Sequence, residues 1–110
     1  MENILKNLVG DKKEYSEYKA RLAKLPHDYA VAYAAIERYI YNFAAGDGIM
    51  TVIYDGLGIF EQAAADNVPL KDVVGEDPVE FATELMNNYP EQMWIVKQQN
   101  KLRRTIKELE

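Results

Sequence analysis

Apolar residues in this chain return every three or four positions, and nowhere over a useful length do they alternate one for one with polar residues. That spacing lines one face of a helix with 3.6 residues per turn, and it leaves no pattern for a sheet with one wet face. Tyr15, Tyr18, Leu22 and Leu25 follow it. So do Tyr33, Ile36, Ile40 and Phe43, and then Ile53, Leu57, Phe60 and Ala64. The one β-like patch, "MTVIY" at 50–54, is embedded in the third of these patterns and reads as helix. The prediction is an all-α fold, one domain over residues 1–110, with about five to seven helices. A domain near this length buries roughly 60–70% of the surface of its unfolded chain, enough for a core without staples.

Prolines, glycines and capping residues divide the pattern. Ile4, Leu5, Leu8 and Val9 predict a short first helix stopped at Gly10. Asp11 with Glu14 three residues on has the form of a capping box opening the next helix. Pro26 ends that helix, because it lacks a backbone donor and biases Leu25 away from helical angles. A Tyr-rich helix follows from about Pro26 or His27 to Ala45, with Glu37 and Arg38 on its solvent side. The next begins near Asp47 and fades at Asp66–Asn67, and a helical turn over Pro69–Val74 stops at Gly75. "DPVEF" at 77–81 is the strongest local signal: Asp77 caps, Pro78 takes the first helical position, and Glu80 suits the helix dipole. Phe81, Ala82, Leu85 and Tyr89 follow, and Pro90 ends that helix or restarts the next. Residues 91–109 predict a last helix with Ile95, Leu102, Ile106 and Leu109 on one face.

Four glycines fall within "GDGIMTVIYDGLG" at 46–58. A dinucleotide loop needs three spaced glycines after a strand, and a P-loop needs Gly-Lys-Ser/Thr; neither occurs. Gly46 and Gly48 are expected to end one helix and precede the next, with Asp47 as its cap. Gly56 and Gly58 lie inside a helical pattern, where each costs about 1 kcal/mol relative to alanine. A packing notch or a small groove is the expected reason.

The chemistry of most enzymes has no residues here to run on. There is no cysteine, one histidine (His27, expected on the surface at a helix start) and one serine, Ser16, in a charged helix. No Glu-x-x-His pair, EF-hand spacing or nucleophile–base arrangement is present. The expectation is a non-enzyme with no catalytic residue, no metal and no cofactor. Neither a signal peptide nor an apolar run of membrane length is found, so no membrane contact is expected and the expected location is the cytoplasm.

Charge is segregated along the chain. Residues 1–27 carry six bases and four acids, residues 28–92 two bases and twelve acids, and residues 93–110 five bases and two acids. An acidic body speaks against broad nucleic-acid binding. A basic tail can instead meet an acidic face, in this chain or in a partner. "KLRRTIK" at 101–107 gives a candidate basic face of Lys101, Arg104 and Lys107. It suits a C-terminal helix, a partner-binding helix or a DNA-reading one. A candidate surface for a partner or ligand comprises Tyr41, Tyr54, Gly56, Gly58, Met93 and Trp94, since tyrosine and tryptophan favour interfaces. Core packing is the alternative for each aromatic. The face bearing Leu102, Ile106 and Leu109 can pack internally or across a homodimer.

"GDKKEY" at 10–15, "LP" at 25–26 before the Tyr-rich helix, "NFAAGDG" at 42–48, "YDGLGIFEQAAADN" at 54–67 and "GEDPVEF" at 75–81 occur in order over nearly the whole chain. Together they resemble an uncharacterised family of small helical proteins of Gram-positive bacteria, a domain of unknown function. The resemblance implies an all-α fold wound in a left-handed superhelix. It also implies a gene neighbourhood beside a PadR-type transcriptional regulator. It implies no catalytic residue. The functional expectation is a non-catalytic protein-interaction module accessory to such a regulator. The alternative is an effector sensor with a pocket between the Tyr-rich helix and the glycine-containing one.

Overall fold

Among the described residues there are six α-helices: α1 (Glu2–Ala23), α2 (His27–Ile40), α3 (Ile49–Ala65), α4 (Leu70–Val74), α5 (Pro78–Asn87) and α6 (Trp94–Leu109). A 3-10 turn, Pro90–Gln92, precedes α6. The computed structural model describes residues 2–44 and 48–110, and only the backbone of residues 2–12. Among the described residues there is no strand; a single antiparallel bridge pairs Ala44 with Met93. The all-α expectation is borne out, as is the helical reading of "MTVIY", which lies in α3.

α2 and α3 form the centre. α2 packs against α1, α3 and α5, and α3 packs also against α4 and α5. Tyr18, Leu22 and Leu25 come from the first face and Tyr33, Ile36 and Ile40 from the second. Val52, Ile53, Leu57 and Phe60 of α3 and Ala82, Leu85 and Met86 of α5 complete the core. Phe60 is the aromatic hub, with ring centroids 4.9 Å from Tyr33, 5.7 Å from Phe81 and 6.2 Å from Tyr29. These tilted and edge-on geometries add to what burial alone contributes.

Local chemistry sets most boundaries as the sequence predicts. Pro26 caps α2 and Pro69 caps α4 in extended conformations, and Gly75 ends α4 at φ +77°, open to glycine and strained for other residues. The Asp77 side chain accepts from the Val79 backbone N–H at 3.0 Å, with Pro78 at the first helical position.

Several expectations are corrected. Gly10 and Asp11 interrupt nothing: α1 runs unbroken from Glu2 to Ala23, so Asp11 is not a cap. One interior glycine costs too little to break a long helix. α2 ends at Ile40 and not at Ala45, because Asn42 turns its side-chain amide back onto the carbonyls of Arg38 and Tyr39. Phe43 is thereby left outside the core, 40% exposed. α6 starts at Trp94 and not at residue 91, since Pro90–Gln92 close as a 3-10 turn. Glu37 does not face solvent; it is 6% exposed. On α3, Ala63 is buried and Ala64 only half-buried. The proposed turn at Gly46 and cap at Asp47 lie outside the described residues; the N-cap position of α3 is held by Gly48 without a side-chain cap.

The radius of gyration is 16.8 Å, against about 13 Å for a close-packed domain of this size. The extents of 56 × 42 × 18 Å describe a slab about two helices thick. α6 is the main reason at the C-terminal end: it contacts the 3-10 turn before it and little else.

Candidate functional site

A buried carboxylate and a set of tyrosines occupy the junction of α1, α2 and α3. Glu37 falls in the register Tyr33, Ile36, Glu37, Ile40, which is the inner stripe of α2. A buried charge needs a partner, and the Tyr18 hydroxyl of α1 donates to Glu37 Oε2 at 2.8 Å. The Tyr18 and Tyr33 rings are fully buried. Burial raises both hydroxyl pKa values well above their ordinary 10.0, and the negative Glu37 adds to the rise in each. The Tyr41 hydroxyl is pushed up to about 12, by burial first and by Glu37 second. No buried side-chain nitrogen or oxygen among the described residues lacks a hydrogen-bond partner. The cluster is a satisfied, closed network that ties three helices together.

Gly56 has a specific reason to be glycine. The Tyr33 hydroxyl donates to the Ile53 carbonyl at 2.5 Å, reaching a backbone oxygen in the middle of α3. A methyl group at Gly56 would lie 2.7 Å from Leu85 Cδ2 and closer still to that hydroxyl. Gly56 is therefore a packing notch filled by α2 and α5. Gly58 is different: nothing lies within 4 Å of the position a methyl would take. Gly48 lets the Gln92 side chain sit over the start of α3.

The six residues proposed as a partner or ligand surface separate into distinct environments. Met93 is buried and Gly56 is filled, so neither offers a surface. Tyr54 is half-buried and packs on Tyr18 at 5.8 Å. Gly58 is part-exposed. Tyr41 and Trp94 are 41% and 56% exposed. The backbone brings their segments together, because the Trp94 N–H donates to the Phe43 carbonyl at 2.8 Å beside the Ala44–Met93 bridge. Phe43, which sequence reasoning assigned to the core, joins them as an exposed aromatic.

α6 presents the largest feature. It is more sharply amphipathic than α1, α2, α3 or α5, yet none of its residues is buried. Val96 packs against the core, and every residue from Lys97 to Glu110 is exposed. Leu102, Ile106 and Leu109 are 64%, 50% and 80% exposed on one stripe, with Ile95 in the same register. By helical geometry Lys101 and Arg103 flank that stripe, while Arg104 and Lys107 lie behind it. Lys101, Arg104 and Lys107, the candidate basic face, are all exposed on α6.

A groove of about 380 Å³ opens between α2, α4 and α5. Ala32 and Tyr39 line it from α2, Leu70 and Val74 from α4, and Val79 and Ala82 from α5. Tyr39 supplies its only side-chain polar atom. The expected pocket between the Tyr-rich helix and the glycine-containing helix is corrected: Tyr33 and Gly56 close that interface, and the groove lies on the other flank of α2. The signal for it was the set of alanines in α2, two of which, Ala32 and Ala35, line the groove.

Among the described residues no group of three or more His, Asp or Glu side chains is placed to hold a metal ion, and no helix is long and apolar enough to cross a membrane. No curated protein matches the chain. A family model described as a protein of unknown function, DUF1048, matches residues 6–107, and the chain accordingly belongs to that family.

Proposed function

We propose that this chain is a non-catalytic protein-interaction module and that α6 is the element through which it binds. The observation that carries this reading is the exposed apolar stripe of α6. A helix of this length is marginal in water on its own, since helical stability comes mainly from packing an apolar face. Here that face is present, and among the described residues Ile95, Leu102, Ile106 and Leu109 all remain exposed. Helices of this form bind by laying the stripe into a partner's groove. The family resemblance supports a PadR-type regulator as the hetero-partner, with this module as its cytoplasmic accessory. The test is size-exclusion chromatography with light scattering, on the chain alone and mixed with that regulator at tens of micromolar. Leu102→Asp is expected to abolish assembly while leaving the unassembled chain folded, with the melting temperature of the dilute wild-type chain. If the wild-type chain assembles with neither itself nor the regulator, the reading is wrong.

A second reading, an effector sensor, rests on the groove between α2, α4 and α5, whose volume falls within the ~300–1,000 Å³ of small-molecule sites. Such sites hold a few convergent polar groups, and this one has only Tyr39. A thermal-shift screen with apolar and amphipathic small molecules tests it; the absence of any stabilising compound removes it.

A further inference from the structure

We infer that the α6 stripe of one chain docks in the α2–α4–α5 groove of a second copy, so that the module is a reciprocal homodimer. The inference rests on the interaction reading above and names its occupant. Three observations single out a second copy. The first is shape: the groove is apolar throughout except for Tyr39, which suits a row of Leu and Ile side chains better than a polar ligand. The second is charge. The segments forming the groove, 27–40 and 70–82, carry six acids and two bases, and Asp28, Asp72, Glu76 and Asp77 on those segments are exposed. α6 carries five bases and one acid, with Lys101 and Arg103 beside its stripe. Opposite potentials on the two faces favour α6 against groove and disfavour α6 against α6, where like charges would meet. The third is extent. Ile95, Leu102, Ile106 and Leu109 each keep half or more of their surface in water. A twofold dimer makes the contact twice, so each copy of it needs to supply only about half of the ~1,200–2,000 Å² that a stable interface buries.

The same geometry keeps the contact between chains. α6 leaves the body at the Pro90–Gln92 turn and touches little beyond it, and its apolar stripe is exposed while the groove of its own chain stays open. Self-docking would already have covered both.

The test is sedimentation equilibrium of the full-length chain, wild type, Leu102→Asp, Val79→Lys and Glu76→Lys, with the fold of each checked by circular dichroism. Val79 is exposed and lines the groove, and Glu76 is exposed between the lining residues Val74 and Pro78, so both variants are expected to fold as wild type. The expected result is a concentration-dependent dimer for wild type, with dissociation constants raised at least tenfold in Leu102→Asp and Val79→Lys and several-fold in Glu76→Lys. Mixing Leu102→Asp with Val79→Lys is expected to give a heterodimer tighter than either homodimer, because one intact stripe then meets one intact groove. A wild-type chain that stays monomeric overturns the inference. So does a dimer that Leu102→Asp weakens but Val79→Lys leaves unchanged, which would mean α6 pairs with α6. If Leu102→Asp abolishes regulator binding while the chain alone is monomeric, the interaction reading stands and the second-copy inference falls.

Discussion

Gly56 and Gly58 sit two positions apart on α3, and only one of them has a neighbour. Substitution by alanine should therefore have opposite signs at the two sites. At Gly58 the added methyl meets open space, and the gain in helix propensity should stabilise the fold by up to about 1 kcal/mol. At Gly56 the same gain is outweighed by collision with Tyr33 and Leu85 and by loss of the hydroxyl's hydrogen bond to Ile53, a net cost of about 1–3 kcal/mol. Urea unfolding of Gly56→Ala and Gly58→Ala checks both signs. Tyr18 poses a related question, because its hydroxyl is a partner of the buried Glu37. Tyr18→Phe should cost about 1–3 kcal/mol by weakening the solvation of that carboxylate. The buried tyrosines also set an alkaline limit. The unfolded chain releases tyrosine protons near pH 10, whereas the fold holds those of Tyr18 and Tyr33 to higher pH. Their contribution is intact below pH 10 and is lost as pH rises above it. Melting temperature followed from pH 8 upward should fall beyond pH 10, less steeply in Tyr18→Phe; equal slopes would contradict the assignment.

At the scale of elements, legibility in the sequence tracks how local the determining physics is. Gly75 announces the end of α4 and Asp77-Pro78 the start of α5, because capping is decided within a turn. The inner faces of α2 and α3 follow from spacing alone. Glu37 was legible too: it lies four residues after Tyr33 and three before Ile40, inside the stripe, and only its charge argued for solvent. The donor that makes its burial tolerable, Tyr18, comes from another helix nineteen residues away, and no local rule finds it. The site was less legible than the fold. Periodicity finds the α6 stripe, but whether anything covers a stripe is a fact about the rest of the chain. Likewise the alanines of α2 allow a close neighbour, and the groove exists because α4 and α5 stop short of filling it. Removing the Asp77 cap with Asp77→Ala should cost about 1 kcal/mol and loosen the groove's α5 wall, read as a lower unfolding midpoint.

For the molecule as a whole, a thin slab with a helix extending from one end leaves an incompletely covered surface at both ends of a single interaction. An acidic body and a basic helix carry their own complementarity, and the assembly they form should weaken with salt as the charge attraction is screened, without vanishing, because the buried stripe is apolar. Hydrogen exchange of the α6 backbone amides tests most directly the claim that α6 is the docking element. The account predicts that amides from Lys97 to Leu109 exchange almost as fast as in a free peptide when the chain is dilute. They should gain protection as its concentration rises, and should gain none in Leu102→Asp. Protection that is strong at every concentration and unchanged in Leu102→Asp would contradict it.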